Sequence, residues 1–216
     1  FAVPSWESYA ELTNDLTRIP DSGIAFRIAG MHVDLMPFGG VEADDGALRP
    51  PWRPRDPMDV FAMSTVYAGS DSIRFEAAPT LSLRIPTLIG YAALKLKAWI
   101  DRAARQEFKD GPDLGLVLYW YSQSDAVRET LYTRRADLLE RSDFDLQLAS
   151  AMLLGADIRD LLSARQAELM SQLWTGESRA RLVDNLASRD NRVRLNLVSG
   201  ADREALINAV WDELAR

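Results

Sequence analysis

The stretch from Ile24 to Gly40, IAFRIAGMHVDLMPFGG, constrains the fold more than any other part of the chain. It reads as two strands around a turn, with one carboxylate, Asp34, inside the second strand. Val33, Leu35 and Phe38 flank that acid, and apolar neighbours of this kind predict a buried strand. An isolated ionised carboxylate is costly to desolvate, so Asp34 is expected to meet a cation or a metal. Ahead of it, Phe1-Ala2-Val3 reads as the tail of a strand that begins upstream of the sequence given.

With 216 residues, 47% of them apolar, the chain can bury a core of one large or two small domains. A net charge of -7 argues against a sequence-independent nucleic-acid coat and fits an ordinary cytoplasmic protein. The absence of cysteine excludes disulfides, thiolate metal sites and a cysteine nucleophile, and a single histidine, His32, excludes a multi-histidine metal centre. No P-loop, G-x-G-x-x-G or G-x-S-x-G is present.

The organisation predicts an α+β fold, strand-rich over 1–90 and helical over 91–216. A first helix carries Trp6, Tyr9, Leu12 and Leu16, with Ser5 or Ser8 as cap. A long loop from Gly39 to Pro57 holds Arg49-Pro50-Pro51-Trp52-Arg53-Pro54-Arg55. The alternation in Ile73–Glu76 and Leu81–Ile85 predicts half-buried strands. Thr87 opens a helix to about Gln106, its core side drawn through Leu88, Tyr91, Leu94, Ala98 and Ile100. Further helices are expected near 113–122, 124–140, 143–154, 156–172, 177–187 and 202–215, with Gly155, Gly176 and Gly200 as stops and a short strand over Arg192–Leu197.

Two constellations could carry chemistry. Asp34 on its strand suits a Mg²⁺ ligand with an edge open to phosphate, and equally suits a structural pair with Arg27. His32 lies two residues away, on the same strand face. On the long helix and its exit stand Lys95, Lys97, Asp101, Arg102, Asp110 and Asp113. Lys95, between Leu94 and Leu96, must snorkel or meet an anion, for which a nucleotide phosphate is one choice. Asp110 and Asp113 straddle a helix start, so capping explains them as readily. Lys97 is expected in solvent. Arg53 and Trp52 could hold a phosphate and stack on a base, or be plain surface. Arg179, Arg181, Arg189, Arg192 and Arg194 make the C-terminal part locally basic, and Tyr119-Trp120-Tyr121 reads as helix packing.

Three stretches together resemble the nucleotidyltransferases of the AbiEii/AbiGii toxin group, in the DNA polymerase β-like superfamily. They are Phe1–Glu7 (FAVPSWE), His32–Glu42 (HVDLMPFGGVE), and Leu94–Arg102 (LKLKAWIDR) leading to Lys109–Leu114 (KDGPDL). They span the first half of the chain in the family's order. The resemblance implies a mixed sheet with flanking helices, an Asp-x-Asp pair immediately before Phe1, and Asp34 as the third metal-site acid. It further implies that Lys95 faces the triphosphate, with Arg102 and Arg53 as nucleotide contacts, and that Asp110 or Asp113 belongs to the motif after the long helix. The chain contains no Gly-Ser turn leading into an Asp-x-Asp strand.

The implied activity is Mg²⁺-dependent transfer of a nucleoside monophosphate from an NTP to a hydroxyl of a tRNA 3′ end or a protein. It would belong to a toxin–antitoxin or phage-defence pair, with an antitoxin as partner. The alternative is a non-catalytic interaction module with the same fold.

Overall fold

The computed structural model describes residues 2–20, 22–43, 46–186 and 200–216. The fold is α+β and divides into two compact units, Phe1–Ala68 and Gly69–Arg216. The strand pair over 71–85, grouped by the sequence with the first part, belongs to the second unit.

The first unit opens with β1 (Ala2–Val3) and α1 (Trp6–Thr13), which Ser5 caps by accepting from the Ser8 amide at 3.3 Å. β2 (Thr17–Arg18), β3 (Ala25–Ile28) and β4 (Met31–Asp34) form an antiparallel sheet in that spatial order, so β4 is an edge strand. The β3–β4 hairpin closes Ile28 against Met31 through Ala29 and Gly30, with φ of 49° and 80°. Two positive φ values in a two-residue loop match the twist of the flanking strands. β5 (Phe38–Gly39) pairs in parallel with β1, and Gly40 donates its amide to Val3 O at 2.9 Å. A Cβ on Gly40 would stand 2.0 Å from Pro4 O, so only glycine allows this approach. β6 (Ala47–Leu48), β7 (Met58–Asp59) and α2 (Met63–Ala68) complete the unit. Its core gathers Val3, Tyr9, Phe26, Phe38, Leu48 and Val60. The sheet expected as one mixed body is thus divided into small pieces.

The second unit begins with a hairpin of β8 (Asp71–Phe75) and β9 (Ala78–Ile85). Ile73, Phe75, Leu81, Leu83 and Ile85 share one face by their period of two and are exposed, where half-burial was expected. Ser72 and Ser82 meet at 2.7 Å on the opposite face.

The helices follow: α3 (Leu88–Ala103), α4 (Gly111–Gln123), α5 (Asp125–Thr133), α6 (Ala136–Arg141), α7 (Leu146–Leu161), α8 (Ala164–Leu173), α9 (Gly176–Asn185) and α10 (Gly200–Leu214). Thr87 caps α3 as expected, accepting from the Gly90 amide at 3.2 Å. The core face of α3 runs through Ala92, Ala93, Leu96, Trp99, Ile100 and Ala103, rotated from the face drawn through Leu94 and Ala98. Trp99 Nε1 ties it to α9 through Ser178 O at 3.1 Å.

The stop expected at Gly155 is overturned, because α7 runs straight through it. A Cβ there would stand 2.2 Å from Val210 O, so Gly155 lets the backbone of α10 approach α7. Gly176 and Gly200 open helices rather than end them. Arg189, Arg192, Arg194 and the strand expected over Arg192–Leu197 lie outside the described residues. Among the described residues no helix is long and apolar enough to cross a membrane.

Candidate functional site

In the first unit Asp34 ends β4, and its side chain is 64% exposed. The burial expected from Val33 and Leu35 is therefore corrected. Adjacent strand residues point to opposite faces, so on an edge strand Val33 turns inward while His32 and Asp34 turn out. The partner of Asp34 is His32, whose Nε2 lies 3.1 Å from Asp34 Oδ1. Arg27, the other candidate partner, instead donates to Gly30 O at 3.4 Å.

Among the described residues, no three His, Asp or Glu side chains are placed to hold a metal ion. Asp34 offers one carboxylate, and a hard divalent cation takes six or more oxygens, several of them from protein or substrate. The described residues do not by themselves make a magnesium site.

The loop over 49–57 is fastened to the aromatic part of this unit. Trp52 stacks on Tyr9 with ring centroids 5.7 Å apart and an interplanar angle of 14°, and meets Trp6 edge-on at 5.3 Å. The Arg18 guanidinium lies 4.5 Å from the Trp52 centroid and 4.7 Å from that of Phe26. Arg53 Nε pairs with Asp56 Oδ2 at 3.1 Å. Trp52 is thus engaged by the protein's own side chains rather than presented as an open platform.

In the second unit, four of the expected site residues converge where α3 leads into α4. Asp110 precedes α4, and its side chain is 1% exposed. It does not cap the helix. Its two oxygens instead accept from Arg102 Nη1 at 3.0 and 2.8 Å, and Oδ1 also accepts from Lys95 Nζ at 3.2 Å. Lys95 Nζ reaches Asp113 Oδ2 at 2.6 Å as well and lies 5.5 Å from the Tyr91 ring centroid. Burial pushes the Lys95 ammonium down, but its hydrogen bonds to Asp113 and Asp110 and the Asp113 charge outweigh it, so the net shift is upward. The anion that Lys95 required is therefore supplied by the chain itself.

Lys97, expected in solvent, is buried and holds both oxygens of Asp101, at 2.9 and 2.7 Å. The spacing of four residues along α3 lets the two meet on one face. Asp34 and Arg53 belong to the first unit, and Lys95, Arg102, Asp110 and Asp113 to the second.

One arrangement escaped the sequence reading. The Tyr121 hydroxyl of α4 donates to Asp157 Oδ2 of α7. Burial, with the hydrogen bond to Asp157 next, pushes the Tyr121 phenol far up. Burial likewise raises Asp157, helped by the charge of Asp160 and opposed by the Tyr121 hydrogen bond and Arg135. The pair borders a cavity of about 280 Å³. Its sequence signal was an acid in the middle of the mostly apolar run LQLASAMLLGADIRDL. No family model, curated protein or solved structure matches the chain.

Proposed function

We propose that the protein is a nucleotidyltransferase that moves a nucleoside monophosphate from an NTP to a hydroxyl of RNA or protein, with Asp34 as its acceptor-side carboxylate. The supporting observation is the parallel pairing of Ala2 with Phe38 and Val3 with Gly39. The strand that pairs with β1 begins at Phe38, shortly after Asp34 ends β4, so the chain leaving the acid runs directly into the partner strand of β1. The resemblance to the AbiEii/AbiGii group calls for an acid pair on the strand of which Ala2-Val3 is the tail and for a third acid, Asp34, on a neighbouring strand.

The acceptor oxygen forms a bond to the α-phosphorus as the bond to pyrophosphate breaks. Asp34, exposed on an edge strand, is open to an acceptor hydroxyl and takes its proton, while His32 holds the carboxylate by its hydrogen bond. Lys95 and Arg102 already hold Asp110, so the chemistry is assigned to Asp34 alone.

The test is NTP turnover with tRNA and protein acceptors by wild type and Asp34→Ala. Loss of about 100-fold or more is expected, the usual scale of a general base. Equal turnover by the two removes Asp34 from the reaction. A folded wild type that turns over no NTP supports the second reading, a non-catalytic interaction module. That reading is supported by the described residues around Asp34, which include no group of three His, Asp or Glu side chains placed to hold a metal ion.

A further inference from the structure

The cavity beside Asp157 lies entirely within the second unit and uses none of the residues assigned to nucleotidyl transfer. Its walls are largely apolar: Leu88 and Ile89 from the first turn of α3, Val127 from α5, and Leu153 from α7. Against them stands one carboxylate. Asp157 Oδ2 is taken by the Tyr121 hydroxyl, while Oδ1 accepts no hydrogen bond from any described residue. No lysine or arginine among the described residues comes within ion-pair distance of Asp157. Arg135 is turned to Asp137 at 3.4 Å, and Arg159 to Asp160 at 3.3 Å and to Glu213 O at 2.9 Å.

The other ion pairs at buried acids differ in kind. Asp110 has Lys95 and Arg102, and Glu213 has Arg141 and Arg216. Asp157 alone of these three faces an open space with one oxygen uncompensated. A half-buried carboxylate in that state is stabilised by any cation that can reach it.

From this geometry we infer that the cavity binds a small organic cation, a primary amine carrying a single apolar group. The ammonium donates to Asp157 Oδ1, and the apolar group lies against Val127 and Leu153. Tyr121 holds the other carboxylate oxygen, Oδ2, and so leaves Oδ1 for the ligand. The direction of the Asp157 shift, raised chiefly by burial, agrees with a carboxylate lacking its countercharge. Ser124, Ala126 and Val127 also bring the start of α5 to this wall, where the Ser124 side chain caps no amide, and a helix start favours anions. An anionic probe of the same shape therefore decides between the two signs of charge.

Calorimetric titration of the whole chain with 2-phenylethylamine and with phenylacetate is the experiment. The amine is expected to bind and phenylacetate not to. Asp157→Asn is expected to weaken the amine about tenfold or more, as loss of a charge-assisted hydrogen bond does. Ala126→Trp, which adds bulk at the exposed rim, is expected to abolish binding and serves if Asp157→Asn does not fold. The inference is overturned if folded wild type fails to bind millimolar amine, if phenylacetate binds as tightly, or if either folded variant binds the amine as wild type does.

Discussion

Asp34 and Asp110 are both acids that the sequence singled out, and the structure treats them in opposite ways. Asp34 stands on the outer face of an edge strand with one histidine beside it. Asp110 is sealed at the α3–α4 junction, where Lys95 and Arg102 occupy both of its oxygens. A carboxylate removed from water keeps its charge only if cations and hydrogen bonds replace the lost solvation. One left in water needs no such company and remains open to an incoming group. Burial therefore separates an acid that holds two helices from an acid that can meet a substrate.

The comparison breaks most sharply at Asp110. Asp110→Ala leaves the half-buried Arg102 without its anion and Lys95 with Asp113 alone, and is expected to cost about 3 kcal/mol in urea unfolding. A loss below about 1 kcal/mol would mean that the network contributes little and that the contrast with Asp34 is empty. Trp52→Ala probes the first unit in the same way. Its ring covers Tyr9 and Trp6 but is 39% exposed, so about 2 kcal/mol is expected, less than a fully buried tryptophan gives. No measurable change would show that the loop over 49–57 is held by other contacts. The smallest effect belongs to Asp34→Ala, within about 0.5 kcal/mol, because an exposed pair with His32 contributes little. A large destabilisation there would make Asp34 structural and remove the distinction.

Local chemistry was legible where a single residue decides an outcome within a few positions. Thr87 announced the start of α3, and of the two serines offered as the cap of α1 the structure uses Ser5. The strands around Asp34 and the helical character of the second half followed from period and composition. What escaped depended on neighbours distant in sequence. Gly155 looks like a helix stop, but its role is set by Val210 on another helix. Asp110 looks like a cap, but Arg102 and Lys95 compete for its oxygens and win. The apolar residues beside Asp34 suggest burial only if neighbours in sequence share a face, which a pleated strand forbids. Tyr121 and Asp157 form their pair across two helices, and only an acid following directly on the long apolar stretch of α7 hinted at it.

The turn at Ala29-Gly30 has a consequence for insertions and deletions. Ala29 and Gly30 both take left-handed backbone angles, and that two-residue loop sets the register opposite Arg27 and Ala25. Slipping β4 by a single residue would carry Asp34 to the inner face and bring Val33 out. The side of the sheet on which the acid appears is therefore encoded by the length of a turn several residues upstream. At this site a gain or loss of one residue is a more drastic change than most substitutions of Asp34 itself.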